Sequence, residues 1–279
     1  MEKILLAINA VNPGTNTLDF ACYLARLTQS KVTGIFLENF VAEEMPVLKQ
    51  QAGITYMNWE ADEKADDYKD KMAIIEKNIF FFKEKCTSLG VSYNIHLDRG
   101  VPIFELIDES LFADLLVVDA KTSINLHYEE SLSEFVKNIL KKAKCPVVIA
   151  PEKFEIIDEI IFAYDGSASS IFAIKQFTYL FPQVQHRKVS IIQVNEKGEW
   201  IGLEKQKLGE WMKEHYAQFQ FEAVKGNADT KLLDYLCQRK NIFLVMGAYG
   251  RNTLSQFFKP SHADLLIKTI AHPIFITHL

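Results

Sequence analysis

The chain has 279 residues, and its 36 acidic and 31 basic residues give a formal net charge of −5. Without a basic excess to neutralise phosphate backbones, we expect no nucleic-acid partner. No run of 18 or more apolar residues occurs, so no membrane span or membrane partner is predicted. The start of the chain lacks the basic segment of a secretory signal, and we expect a cytoplasmic protein.

The cysteines and histidines show no metal-binding pattern. Cys22, Cys86, Cys145 and Cys237 are scattered without C-x-x-C spacing, which argues against a zinc site and a disulfide framework. The seven histidines show no H-x-x-x-H spacing. We therefore expect no metal, and we interpret most of the cysteines as small buried side chains.

In the first half of the chain, short apolar runs alternate with amphipathic stretches. The pattern predicts strands at residues 4–8, 31–37, 91–97, 115–118 and 147–150, and helices at 15–28, 102–112, 132–142 and in a long stretch ending at 89. Residues 38–67 show a looser pattern, with Pro46, Gly53 and many charges. No element is assigned to them.

The second half repeats this order. Strands are predicted at 157–164, 188–194, 219–224, 242–246 and 273–277, and helices at 167–181, around 200–211, at 230–238 and at 263–270. Landmarks align as Asn9 with Asp165 and Asp119 with Gly247, at offsets that fall from 156 to about 127 along the chain. Strands that alternate with helices indicate parallel sheets with right-handed crossovers. We predict two tandem doubly wound α/β domains, at residues 1–151 and 155–279.

Ligands of open parallel sheets bind at the carboxyl ends of strands, where the strand order reverses. In the second half these positions are Asp165-Gly-Ser, after the first strand, and Gly247-Ala-Tyr-Gly250-Arg251, after the fourth. A carboxylate can accept hydrogen bonds from a ribose or an adenine amine, glycines let backbone N–H groups approach phosphate, and Arg251 adds a cation. The alternative interpretation is that these residues form ordinary tight turns after buried strands and bind no ligand.

A helix start follows this loop. Ser261 can cap the next helix and Asp264 stands three residues later, so the helix N-terminus could hold an anion. His262 is either part of the same crevice or a solvent-exposed histidine at a helix start.

The order of these motifs resembles the universal stress protein family. The stretch Leu244-Val-Met-Gly-Ala-Tyr-Gly-Arg is followed by nine residues, Pro260-Ser261, a helix and His-Pro-Ile-Phe-Ile. It is similar to that family's C-terminal signature, G-x-x-G, nine residues and G-[ST], with a final Pro-Val-x-Val strand. Ile160-Ile-Phe-Ala-Tyr-Asp-Gly-Ser resembles its opening strand and acidic residue.

The resemblance implies an adenine nucleotide alpha hydrolase-like fold with strand order 3-2-1-4-5 in each half. It also implies a site for ATP or a related adenine nucleotide in the second half, formed by Asp165, Val194, Gly226, Gly247, Gly250, Arg251, Ser261 and His262. The final strands, Val147–Ile149 and Ile274–Ile276, would pair within the chain as a pseudo-dimer. Whether two chains form a homodimer stays open.

Two departures weaken the expected site. Pro260 replaces the second-motif glycine and its N–H, a loss of about 1.5–3 kcal/mol or about ten- to a hundredfold in affinity. In the first half, Asn9 replaces the acid, Asp119-Ala-Lys-Thr122 replaces the glycine loop and Leu132-Ser133 replaces G-[ST]. We therefore predict that the first half binds no nucleotide.

The sequence thus leaves two main hypotheses. One is a stress-response module that binds an adenine nucleotide, with at most slow hydrolysis, because no general base lies beside the loop. The other is a nucleotide-free interaction or signalling scaffold on the same tandem fold. An adenylate-forming enzyme on a related fold is a third reading.

Overall fold

The computed structural model describes residues 1–38, 44–51, 54–61, 66–98, 101–122, 133–154, 156–200, 204–247 and 271–277, and the statements below concern these residues. Among them, no helix is long and apolar enough to cross a membrane. The predicted helix at 263–270 lies outside the described residues.

The first half contains seven strands and four helices in its described part. They are β1 (Lys3–Asn9), α1 (Thr15–Thr28), β2 (Lys31–Leu37), β3 (Glu44–Gln51), β4 (Ile54–Ala61), α2 (Asp66–Ser88), β5 (Tyr93–Asp98), α3 (Pro102–Ser110), β6 (Leu115–Asp119), α4 (Glu134–Lys142) and β7 (Val147–Ala150).

The described part of the second half contains five strands and three α-helices. They are β8 (Glu159–Ala163), α5 (Ala168–Leu180), β9 (Lys188–Asn195), α6 (Glu204–His215), β10 (Phe219–Lys225), α7 (Ala228–Cys237), β11 (Ile242–Gly247) and β12 (Ile274–Thr277). A short 3₁₀ turn, Pro182–Val184, follows α5. The amphipathic pattern predicts a helix that contains Trp200, but α6 begins at Glu204 and Trp200 precedes it.

Ten of the described strands form one sheet, in the order β10-β9-β8-β11-β12-β7-β6-β1-β2-β5. Within this sheet, every pair of strands from the same half is parallel. Without the hairpin β3–β4, each half contributes five strands to this sheet. Numbered along the chain within each half, they lie in the order 3-2-1-4-5, which is β5-β2-β1-β6-β7 in the first half and β10-β9-β8-β11-β12 in the second. The predicted fold class and its strand order, 3-2-1-4-5, are therefore confirmed.

The two halves are joined through their last strands. β12 pairs with β7 in antiparallel register, with Ile274 opposite Ile149 and Ile276 opposite Val147. Both strands are buried along their whole length. The predicted pairing within one chain is confirmed, and it covers two strand edges that would otherwise expose unpaired backbone groups.

Helices cover both faces of the sheet. Alternate residues of β1 belong to different cores, since Ile4 and Leu6 pack in one and Leu5 in the other. The first core lies against α1, α2, α5 and α6, and the second against α3, α4 and α7. Strands that are buried on both faces read as continuous apolar runs, which is why the sequence pattern locates them well.

The loosely patterned stretch at 38–67 contains an antiparallel hairpin. β3 and β4 form a separate two-stranded sheet, with Glu44 opposite Ala61 and Gln51 opposite Ile54. The chain leaves β2 through Glu38, which is buried and forms an ion pair with Lys71 of α2. The extra length of the first half is therefore inserted between its second and third sheet strands.

Phe177 of α5 holds the core of the second half together, and we expect Phe177→Ala to lower the free energy of unfolding by about 3–5 kcal/mol. Its ring is fully buried and lies 4.9–5.8 Å, between centroids, from the rings of Phe162, Phe181, Phe243 and Phe275. Urea unfolding followed by circular dichroism measures the change.

The control is Tyr179→Ala, two residues along the same helix. Tyr179 is 56% exposed, so its loss should cost less than about 1 kcal/mol. Equal losses for the two variants would contradict the assignment of Phe177 to the core.

Candidate functional site

The candidate site lies at the carboxyl edge of the second half, where β9 and β11 flank β8 on opposite sides. Ala163 pairs with Ile192, and the Tyr164 N–H donates to the Ile192 carbonyl at 2.8 Å. Continuing this register places Asp165 beside Val194. The strand order reverses here, as it does at ligand sites of open parallel sheets.

Asp165 forms the turn between β8 and α5. Its Oδ1 accepts the Ser167 N–H at 2.9 Å, and Gly166 between them has a φ of 85°. Ser167 then caps α5 by accepting the Ser170 N–H at 3.1 Å. Asp165 is exposed, and within the described residues its Oδ2 accepts no hydrogen bond. One carboxylate oxygen thus shapes the turn, and the other can accept a bond from a ligand.

Gly247, at the end of β11, is required by packing against α5. A Cβ at this position would come within 2.6 Å of both the carbonyl carbon and the Oγ of Ser169. The first turn of α5 therefore lies directly on the backbone of Gly247. This contact requires a glycine whether or not a phosphate binds here.

Gly226 also has a local structural reason. Its φ is 138°, a Cβ would lie 2.6 Å from Cγ of Lys231, and its N–H donates to the Asn195 carbonyl at 2.9 Å. L-residues with a side chain rarely adopt this conformation. Gly226 therefore shapes the connection from β10 to α7.

The four described members of the predicted site share one edge of the sheet. Gly226, Val194, Asp165 and Gly247 follow or end the neighbouring strands β10, β9, β8 and β11. Neighbouring strands lie about 4.8 Å apart, so the row spans roughly 14 Å. Val194 is half-buried and packs into the core on the α7 side. Gly250, Arg251, Ser261 and His262, together with Pro260, lie outside the described residues.

Two features of this edge were missed by sequence reasoning. Tyr164 and Trp200 stack with ring centroids 5.3 Å apart and an interplanar angle of 3°. Asn195 accepts the N–H groups of Lys197 and Gly198 on its Oδ1, at 3.1 and 2.9 Å. Asparagine followed by glycine after a strand is a turn signal that could have identified the second feature. The stacked pair joins two separate loops, and no local pattern reveals it.

In the first half, a carboxylate occupies the equivalent position. Asp119, at the end of β6, accepts the Thr17 hydroxyl on Oδ2 at 3.0 Å and the Lys121 N–H on Oδ1 at 2.7 Å. A Cβ on Gly14 would lie 3.1 Å from the same Oδ2. The first turn of α1 therefore already faces an anion supplied by the chain itself.

Helix α2 closes the same edge of the first half. The Asn78 amide donates to the Ala10 and Val11 carbonyls at 2.8 and 3.1 Å. The cavity between Pro13 and Phe81 has a volume of about 20 Å³, room for about one water molecule.

Ser133, the first-half counterpart of Ser261, is buried. Its Oγ donates to the Thr122 carbonyl and accepts the Val136 N–H at 3.1 Å, which caps α4. Asp119, Lys121 and Ser133, which stand where the nucleotide loop would be in the first half, are thus engaged within the fold.

Comparison with solved structures shows which known proteins share this fold. No protein-family model matches the chain, and no curated protein sequence matches it. A universal stress protein from Archaeoglobus fulgidus DSM 4304 superposes with a TM-score of 0.69 at 16% identity, over 99% of this chain and 98% of that one. The chain has the fold of a universal stress protein.

Two further structures agree with the full-length likeness. A protein of unknown function from Pseudomonas aeruginosa PAO1 has a TM-score of 0.56 at 13% identity, and covers 100% of this chain and 92% of its own. A protein of Pseudomonas aeruginosa UCBPP-PA14, provisionally named a universal stress protein, has a TM-score of 0.57 at 12% identity, with coverages of 100% and 93%. The universal stress protein fold therefore accounts for both halves of this chain.

The packing of Gly247 in this universal stress protein fold can be tested directly. We expect Gly247→Ala to lower the unfolding free energy by about 1–3 kcal/mol without any ligand, because the added Cβ overlaps the Ser169 backbone. Thermal and urea unfolding of the ligand-free protein measure the effect.

Gly209→Ala is the matched control, with the opposite expected sign. Gly209 lies inside α6, and its Cβ would meet Phe221 at an ordinary 3.5 Å. Alanine should stabilise this helix by about 0.5–1 kcal/mol. A neutral or stabilising Gly247→Ala would contradict the packing constraint.

Proposed function

We propose that the chain is a universal stress protein with tandem domains at residues 1–151 and 155–279, of which the second binds ATP or a related adenine nucleotide. The full-length likeness in fold and the motif order in the sequence support family membership. We propose a cytoplasmic, stress-response role on the same grounds.

One observation carries the nucleotide proposal: the two halves place different groups at equivalent positions of the sheet edge. In the second half, Asp165 is exposed and Gly247 brings no side chain. In the first half, Asp119 fills the corresponding position and is held by Thr17. A ligand with hydroxyl or amine donors and a phosphate group suits the second arrangement and is repelled by the first.

The residues take separate roles in this proposal. Asp165 accepts a hydrogen bond from the ribose or the adenine amine, and Val194 forms part of the apolar wall. Gly247 allows the loop to turn closely beneath the ligand. Gly250 and Ser261, with Arg251 and His262, would meet the phosphates. The loss of a donor at Pro260 makes the site weaker than that of a complete motif.

We propose binding rather than catalysis as the activity, with at most slow hydrolysis of ATP. The described residues contain no group of three or more His, Cys, Asp or Glu side chains that could hold a metal ion. Asp165 is the one acidic side chain of the predicted site, and it is assigned to nucleoside recognition.

A nucleotide-free interaction scaffold is the second candidate, and the surface of the first half favours it. Phe104, Leu111 and Phe112, in and just after α3, are 60%, 58% and 78% exposed. Apolar side chains exposed together are typical of interaction surfaces. Gly226 and Gly247 also have packing reasons that need no ligand.

We expect Asp165→Asn to weaken ATP binding by about ten- to a hundredfold, because a hydrogen bond to a charged group is worth about 1.5–3 kcal/mol. The amide should preserve the turn, since Asn9 accepts the Val11 and Asn12 N–H groups in the same way, at 3.0 and 2.9 Å. Isothermal titration calorimetry with ATP measures the change.

Asn9→Asp is the control and should leave ATP affinity unchanged. If the wild-type protein gives no heat at millimolar ATP and carries no nucleotide after purification, the nucleotide proposal is wrong. The interaction scaffold is then the remaining candidate function. Equal affinities of wild type and Asp165→Asn would place the nucleotide elsewhere.

A further inference from the structure

A cavity with an apolar floor and charged groups at its rim lies away from the nucleotide edge, in the described part of the chain. It has a volume of about 280 Å³, at the small end of the roughly 300–1,000 Å³ range of ligand pockets. The segment that links the two halves forms one wall, and the residues that begin β11 and β12 form the other.

The floor of this linker cavity is apolar and firmly held. Ile157, Ile242 and Pro273 line it, and all three are buried. Phe154 lines the wall, and its ring packs against Tyr23 of α1 with centroids 4.3 Å apart. The cavity therefore offers a preformed apolar surface that a ligand can cover without reordering the core.

Two cations stand at the rim. Lys153 and Lys240 line the cavity and are exposed, and among the described residues neither has a hydrogen-bond or ion-pair partner. None of the described lining residues is acidic. The neighbouring Asp158 accepts the Asn241 amide at 2.9 Å, so its carboxylate is already engaged.

His272, which also lines the cavity, favours its neutral form. Burial lowers the pKa of His272, and a hydrogen bond with the Arg239 backbone acts in the opposite direction. The linker cavity thus combines a neutral, largely apolar interior with a positive rim.

We propose that the linker cavity is a second ligand site, which binds a small amphipathic anion. The apolar body of the ligand covers Ile157, Ile242 and Phe154, and its carboxylate or other anionic group lies between Lys153 and Lys240. The anionic group of the ligand forms charge-assisted contacts with the two lysines. Its apolar body buries apolar surface against the cavity floor, which a small inorganic ion cannot do.

This site is separate from the proposed nucleotide site. β11 begins at Ile242 in the cavity floor and ends at Gly247 at the opposite edge. A strand rises about 3.3 Å per residue, so roughly 17 Å of backbone separates the two. The two sites should fill independently.

The test uses 1-naphthoate and its neutral isostere 1-naphthamide as probes, titrated into the full chain by calorimetry. We expect saturable naphthoate binding, naphthamide binding at least about tenfold weaker, and no binding of acetate at the same concentrations, because acetate lacks the apolar body. ATP at saturation should leave naphthoate affinity unchanged.

The double variant Lys153→Gln/Lys240→Gln should weaken naphthoate binding at least about tenfold and leave naphthamide binding unchanged. The matched control is Lys205→Gln/Lys213→Gln, two exposed lysines that line a wider depression between α6 and β10, where the acidic Glu210 is also present. All four side chains are exposed, so both proteins should fold, and thermal unfolding checks this.

The following results would overturn the proposal. They are the absence of saturable naphthoate binding to the wild type, equal binding of naphthoate and naphthamide, and equal losses in the two double variants. Competition by ATP would also overturn it, because it would place the probe at the opposite edge of the sheet. The naphthoate and naphthamide titrations of the wild type and of the two double variants do not require ATP to bind, so failure of this site and failure of the nucleotide proposal are distinguishable.

Discussion

The antiparallel pairing of β7 with β12 is the constraint on which the rest of the molecule depends. Each strand closes the edge of its own five-stranded sheet, and together they make one sheet of ten strands. Because the strands of the two halves run in opposite directions, the carboxyl edge of one half is continuous with the amino edge of the other. The linker can therefore pass from β7 to β8 along a single edge, and it forms the cavity there.

That same edge explains why the two halves differ. The linker is held at the carboxyl edge of the first half, where Glu152 pairs with Lys121 at 2.5 Å and Phe154 packs on Tyr23. Asp119 and Thr17 lie beneath these contacts. The first half thus uses its switch point to anchor the connection between the two halves.

The sequence allowed the sheet to be predicted almost strand by strand, because strands buried on both faces must be apolar throughout. The hairpin of β3 and β4 is a separate two-stranded sheet, and its residues show no such pattern in the sequence. The four described members of the predicted site lie in a row along one edge of the sheet. Asp165 and Val194 could be placed because register follows from strand ends. The contact of Gly247 with Ser169 could not be predicted from the sequence, because it depends on how closely helix α5 approaches strand β11.

The contact between Gly247 and Ser169 limits what the glycine motif indicates about function. A glycine at the end of β11 is compatible with phosphate binding, but the first turn of α5 requires it in any case. Its presence therefore carries little information about a ligand, and its replacement would damage the fold and any binding together. Asp165 is different, because Asn9 performs the same turn without a charge. The charge of Asp165 is a feature of this edge that the turn does not demand, so Asp165 is a residue through which ligand binding and structure can be separated.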